Sequence, residues 1–174
     1  MNIELLHSVS IRGRYFYGYC CLLSTIQKYT LEPIYKPLDK ILKNFVETDQ
    51  LDDWQGRVDE FMPSRILEVD FPLIHCVAST DKKSNGLIKY YSEQPFVVLN
   101  IIEELMWLGI SNLYGGFDSK HTLPYIIQIV KYLEEENIDL PNEGILTIFP
   151  VSEDRGWGKR IDIDSLLIAY GYIV

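Results

Sequence analysis

Residues 151–164, V-S-E-D-R-G-W-G-K-R-I-D-I-D, set two glycines around a tryptophan, with bases beside them and acids outside. Glycines followed by a lysine raise the chemistry of a loop that cradles phosphate. Such a loop needs the spacing G-x-x-x-x-G-K-[ST] between a strand and a helix. Here the glycines stand too close and the hydroxyl is missing. Glu153, Asp154, Asp162 and Asp164 would also repel a phosphate. The stretch therefore reads as a turn with two alternative uses. Either Trp157 folds back onto a core, or Arg155 and Trp157 are offered to a partner. Tryptophan and arginine are among the residue types that dominate protein–protein hot spots.

Other reactive residues are sparsely arranged. His7, His75 and His121 form neither H-x-x-x-H nor H-E-x-x-H, so no metal-binding helix is encoded and no cofactor is expected. His75-Cys76 lies in an apolar run, and His75 reads as a satisfied core histidine. His121 stands near Asp118, but no recognisable nucleophile such as G-x-S-x-G accompanies them. Cys20 and Cys21 are adjacent on one helix, with one facing a core. A reactive thiol there would need Arg12, Arg14 or Lys28 close by. Glu103-Glu104 interrupts the most apolar stretch of the chain. Unpaired buried charge is costly, so one of them should pair with an arginine such as Arg14 or Arg57, or face a groove. An enzyme would have to assemble its site from distant residues, with Glu103, His121, Arg155 and Lys159 as members.

Length and composition narrow the classes. The 174 residues are 47% hydrophobic. A chain of this size buries roughly 70% of the surface its unfolded form exposes, so one domain over residues 1–174 is expected. The net charge is −9, from 25 acids against 16 bases, with no basic run. Nucleic-acid binding is driven by bases that neutralise phosphates, so nucleic acid is an unfavoured partner and a cationic one is favoured. Three cysteines without C-x-x-C spacing fit a reducing compartment. Glu4, His7, Arg12 and Arg14 break any leader-like N-terminal run, and no apolar run reaches the ~18–20 residues of a membrane span. The cytoplasm is the expected location, with no membrane partner.

Periodicity outlines the elements that must hold these residues. Ser10 caps a helix to about Tyr29 along Ile11, Tyr15, Tyr19, Leu22 and Ile26. Gly13 and Gly18 cost that helix up to ~1 kcal/mol each. Leu38, Ile41, Leu42, Phe45 and Val46 stripe a second helix. Thr48 or Asp49 caps a third, through Leu51, Trp54, Val58 and Phe61, which Pro63 ends. Residues 64–80 fit a short helix followed by a buried strand or helix, and 81–86 a solvent turn. Ser92 opens the strongest helix, with Pro95 in its first turn, and Gly115-Gly116 stop it. Asp118 or Ser119 restarts the chain through Leu123, Ile126, Ile127, Val130 and Leu133 to Glu134-Glu135-Glu136, acids that oppose the helix dipole. A loop with one short strand follows, and Asp164 caps a last helix through Leu166, Leu167 and Ala169. The expected fold is mainly α, an irregular bundle of about six helices, with or without a small β element near the C-terminus.

Three stretches carry a family likeness: R-Y-F-Y-G-Y-C at 14–20, L-D-D-W-Q-G-R-V-D-E-F at 51–61 and N-L-Y-G-G-F-D at 112–118, with the G-W-G turn behind them. Together they resemble the small, acidic, mainly helical immunity proteins of bacterial polymorphic-toxin and contact-inhibition systems. The resemblance implies a cytoplasmic protein that binds and blocks a cognate toxin, with a basic nuclease domain as one form of that toxin. Such families vary in their interface residues, so the contact candidates come from acidity and aromatic content. They lie in 47–60, 134–143 and 153–164, namely Glu47, Asp49, Asp52, Asp53, Asp59, Glu60, Glu134, Glu135, Glu136, Glu153, Asp154, Arg155 and Trp157.

Overall fold

The computed structural model describes residues 3–67, 84–111 and 119–172. The second helix, α2 (Ile11–Lys28), follows a short α1 (Ile3–His7) and runs through the middle of the core. Its start is set as the sequence predicts, by the Ser10 hydroxyl accepting from the Gly13 N–H at 3.3 Å. Every residue from 11 to 22 is buried. An α-helix apolar all round has to be enclosed on every side. Here α7 (Phe96–Ile110) and α8 (Leu123–Glu135) pack against it and against each other. Gly18 shows why a poor helix former sits there. A Cβ at that position would lie 2.9 Å from Leu105 Cδ2 and 3.2 Å from Ile129 Cδ1. The propensity cost of roughly 1 kcal/mol is offset by the close approach of α7 and α8.

The other elements wrap this centre. In α3 (Lys36–Glu47) the residues Leu38, Ile41, Leu42, Phe45 and Val46 all turn inward, as their spacing requires. Phe45 stacks on Tyr15 of α2 at 4.3 Å and meets Trp54 edge-on at 4.9 Å. Trp54 belongs to α4 (Leu51–Val58) and donates its indole N–H to the Ile41 carbonyl at 2.9 Å. This aromatic column fixes α4 on α3 and α3 on α2. The C-terminal α9 (Ile163–Ala169) docks on α3 through buried Ile163 and Leu167 and the 2.8 Å Lys43–Asp164 ion pair. Buried apolar side chains from Leu6 to Leu167 form one continuous cluster. No helix among the described residues is long and apolar enough to cross a membrane.

The helical class holds, and several details differ from the expectation. The described residues carry nine α-helices rather than about six: α1 and α6 (Ser84–Ser92) form where no helix is expected, and the short α5 (Pro63–Ile66) opens the stretch where a short helix is expected. Gln50, not Thr48 or Asp49, occupies the N-cap of α4, and the Thr48 hydroxyl instead accepts from the Gln50 N–H at 3.0 Å. Pro63 opens α5 instead of ending α4, as its missing N–H allows at a first helical position. Ser92 ends α6, and Pro95 takes the N-cap of α7, so residues 84–86 of the expected solvent turn are helical. Asp162, with its carboxylate accepting from the Ser165 N–H, caps α9 in place of Asp164. The expected β element near the C-terminus is a 3-10 turn over Glu143–Ile148, and only an isolated antiparallel bridge joins Val9 to Pro150. The segment 68–83 with His75-Cys76, and 112–118 with Gly115-Gly116 and Asp118, lie outside the described residues.

Candidate functional site

The N-terminal end of α2 gathers two distant parts of the chain around one arginine. Arg12 is only 3% exposed. Its guanidinium donates to the Gly158 carbonyl at 2.8 Å, the Thr48 carbonyl at 2.6 Å and the Asp49 carboxylate at 3.1 Å. Its backbone N–H donates to the Trp157 carbonyl at 3.0 Å, and nearby the Ile161 N–H reaches the Val46 carbonyl at 2.9 Å. Carbonyls just past a helix end and in a tight turn lack regular partners. The planar, many-donor arginine fork is suited to collect several of them at once.

Two open clefts draw on residues 48–50, Asp49 lining one and Thr48 and Gln50 the other. One, of about 610 Å³, is lined by Arg12, Asp49, Glu153, Asp154, Lys159 and Arg160. The other, of about 620 Å³, runs along α4 past Asn44, Thr48, Gln50, Asp52, Asp53 and Arg57. Asp49, 65% exposed, bridges Arg12 and Arg160, while Lys159 pairs with Glu153 at 2.9 Å. The bases of the first cleft are thus engaged by its own acids. Asp52, Asp53 and Asp154 are exposed and add negative charge along the rim.

The glycine–tryptophan turn forms one wall. Asp154 and Arg155 hold φ of 44° and 55°, and Gly156 and Gly158 hold 94° and 81°. A non-glycine residue in the left-handed region costs roughly 1–2 kcal/mol, and such strain persists only where surrounding contacts over-determine it. Here the Trp157 N–H donates to the Asp154 carbonyl at 3.0 Å, and Arg12 holds the Trp157 and Gly158 carbonyls. Trp157 is half-buried and packs on the core edge. The ring thus anchors the turn on the core edge, as the first of the two readings expects, and stays half-exposed. Gly158 permits the conformation, since a Cβ there would stand 2.8 Å from Ser10 Cβ. Gly158→Ala is expected to cost about 1–3 kcal/mol, read as a lowered urea midpoint with an unchanged far-UV spectrum.

The remaining candidates fall in other places. Glu47 is exposed at the end of α3, near Asp162 and Asp164 of the α9 start. Asp59 pairs with Arg65 at 2.7 Å, and Glu60 is exposed beside it. Glu134, Glu135 and Glu136 lie exposed at the C-terminal end of α8. There the Tyr29 hydroxyl donates to Glu136 at 2.7 Å. Tyr29 caps α2 at its far end, roughly 25 Å along the helix from Arg12 at 1.5 Å per residue. The three acidic segments therefore do not form one patch: 47–53 and 153–160 come together, and 134–136 does not join them.

The residues proposed for an enzyme are also dispersed. Glu103 is 6% exposed and accepts from the Ser64 N–H at 3.1 Å, the Ser64 hydroxyl at 2.8 Å and the Trp107 indole at 3.1 Å. The expected pairing of this glutamate pair with Arg14 or Arg57 is not what satisfies it. Arg14 is buried and bonds the Leu6 carbonyl at 2.9 Å and the Thr122 hydroxyl at 2.8 Å. His121 is exposed in the 3-10 turn before α8, and neither it nor Glu103 lines either cleft. Cys20 and Cys21 are both buried, where only one was expected to be, and burial raises both thiols well above their ordinary range.

Glu104 differs from its neighbour. Burial pushes its pKa from the ordinary 4.5 up to about 7, the Glu103 carboxylate adds to the rise, and the Tyr132 hydroxyl opposes it. The folded protein thus keeps a proton that the unfolded chain releases at lower pH. This stabilisation is complete below about pH 4.5 and is lost as pH rises through about 7. Thermal unfolding followed at a series of pH values is expected to show that decline, and Glu104→Gln to flatten it.

A scan of the chain against protein-family models matches none, and searches of the curated proteins and of the solved structures find no match either. Of the stretches that carried the likeness to immunity proteins, residues 14–20 are wholly buried and Trp54 and Val58 point inward. They report packing more than contact. The cleft residues that sequence reasoning did not nominate for any site are Arg12, Asn44, Thr48, Gln50, Gly56, Arg57 and Arg160. Arg12 had one visible signal, since a charge two places past the cap of an apolar helix must find acceptors.

Proposed function

We propose that this chain is a protein-binding inhibitor, an immunity protein whose acidic face at the N-terminal end of α2 blocks a cognate toxin carrying a basic surface, such as a nuclease domain. The observation that carries the reading is the convergence of 47–53 and 153–160 on Arg12, which makes one buttressed face of two segments a hundred residues apart in sequence. Exposed Asp52, Asp53 and Asp154 supply the steering charge, and the half-buried Trp157 with Arg155 supplies anchor types favoured in hot spots. A standard interface takes roughly 800 Å² per partner, an area that two adjoining clefts and their rims can offer. Binding would take place in the cytoplasm, with no membrane or nucleic-acid partner.

The test is co-expression with the product of the adjacent upstream gene, followed by pull-down. Protection and binding are expected from the wild type. The Asp52→Lys, Asp53→Lys and Asp154→Lys triple variant should weaken binding at least about a hundredfold, as about 1 kcal/mol or more per reversed charge implies. Its melting temperature should stay unchanged. A toxic neighbour that fails to bind, or full binding by the folded triple variant, would sink the proposal.

A further inference from the structure

Gly56 sits inside α4, and the fold gives it no reason to be glycine. Among helix residues only proline is less favourable, so a glycine in a helix interior calls for an explanation. The other described glycines have one. A Cβ at Gly13, Gly18, Gly86, Gly109 or Gly144 would stand within 3.0 Å of a neighbouring side chain. Gly156, Gly158 and Gly171 hold a positive φ. At Gly56 the backbone is helical, and a Cβ would meet nothing within 4 Å. Neither packing nor backbone conformation therefore uses the missing side chain. The bare backbone opens onto the second cleft, of about 620 Å³, which Gly56 lines.

The surroundings say what would fit there. Asp52, Asp53, Gly56 and Arg57 form the exposed side of α4, as residues three and four apart share a helix face. Every other residue lining the cleft is polar, whereas small-molecule sites are mostly apolar. Two of its groups are already engaged: the Thr48 hydroxyl accepts from the Gln50 N–H, and Arg57 Nε donates to the Asp53 carbonyl at 3.3 Å. The side chains of Asn44, Gln50, Asp52 and Asp53 take part in none of the hydrogen bonds or ion pairs among the described residues. A carboxamide offers a donor and an acceptor, the two groups that a peptide unit also carries. The two carboxylates favour a base.

We propose that the partner's main chain crosses α4 at Gly56 at close range, in a segment whose lysine or arginine reaches Asp52 and Asp53. Asn44 and Gln50 bond the peptide groups of that segment. Without a Cβ, a partner carbonyl oxygen can approach the Gly56 Cα to about 3.3–3.6 Å, and any side chain at 56 would hold it off. The assignment rests on the chain being a protein-binding inhibitor, and it adds the point of closest contact and the chemistry of the segment that makes it.

The experiment pairs two readouts on the intact protein: melting temperature alone, and the dissociation constant with the purified product of the adjacent upstream gene. Gly56→Ala removes a poor helix former, so the free protein should melt about 2–4 °C higher. The same variant should bind at least about tenfold more weakly, and Gly56→Leu at least about a hundredfold. Asp53→Asn should weaken binding several-fold and reduce its salt dependence. Amide exchange across 51–58 should slow in the wild-type complex. Binding by Gly56→Ala as tight as the wild type overturns the close approach and leaves the inhibitor reading standing. Weaker binding with a lowered melting temperature overturns it too, because Gly56 would then serve the fold. Unchanged exchange across 51–58 in a tight complex overturns the contact with α4. No binding by the wild type to a toxic neighbour overturns the inhibitor reading and this assignment with it.

Discussion

Arg12→Ala is expected to lower the unfolding free energy by about 3–5 kcal/mol, the range for breaking a buried hydrogen-bonded charge. In a chain of this length that corresponds to a fall in melting temperature of roughly 6–20 °C. The loss follows from what remains behind. Gly158 and Thr48 carbonyls, now served at 2.8 and 2.6 Å, would face a void that alanine cannot fill. Each unsatisfied buried acceptor costs on the order of 1–3 kcal/mol. Asp49 contributes little to this sum because it is 65% exposed, so Asp49→Asn is expected to cost under about 1 kcal/mol. Arg12→Lys should recover only part of the loss, since an ammonium keeps the charge but not the planar fork that serves three acceptors. Urea unfolding of the three variants decides the matter. A cost for Arg12→Ala no larger than that of Asp49→Asn would show that the guanidinium does not hold the two segments together. If the proposed function holds, the same variant should also lose partner binding at temperatures where it stays folded, because the walls of the first cleft would no longer be tied.

Trp54→Ala should be comparably severe, at about 3–5 kcal/mol. Its side chain is fully buried, meets Phe45 edge-on at 4.9 Å and donates to the Ile41 carbonyl at 2.9 Å. Trp54 is also the main anchor of α4, whose eight residues are too few to be stable alone. Its removal is expected to loosen the helix that presents Asp52 and Asp53. Amide hydrogen exchange should rise first across 51–58 and stay low in α2. Trp54→Phe keeps an aromatic ring but loses the indole N–H and part of the ring volume, so about 1–3 kcal/mol is expected. Uniformly raised exchange across the whole chain in Trp54→Ala would mean that α4 is not a separately held unit.

Much of the fold was legible in particular residues. Ser10 ahead of an apolar run marked the start of α2, and the stripe from Leu38 to Val46 marked the buried face of α3. Both signals are local: a cap is satisfied within three residues, and a helical stripe repeats within two turns. Where the signals misled, competition was local as well. Thr48 and Asp164 are good caps by type, yet Thr48 closes a turn onto Gln50 and Asp162 reaches the α9 N–H groups first. Proline at 63 stops one helix and starts another by the same missing N–H, and the sequence does not say which.

The candidate site was readable only in fragments. Charge, acidity and aromatic content nominated 47–60, 134–143 and 153–164 as contact segments, because those properties belong to residue types. Which segments meet is a property of packing across long sequence distances. Only the tertiary structure brought 48–49 and 158 onto the Arg12 guanidinium and left Glu134, Glu135 and Glu136 at the opposite end of α2. The same division separates Glu103 from Glu104. As adjacent acids in one apolar helix they are indistinguishable in sequence, but helical geometry turns them about 100° apart. One finds Ser64 and Trp107, and the other meets tyrosines and no cation among the described residues. Composition and periodicity determined a mainly helical acidic chain, since both act within a few residues. The tertiary structure decided which charges are satisfied and which stay exposed, since that depends on what distant segments place beside them.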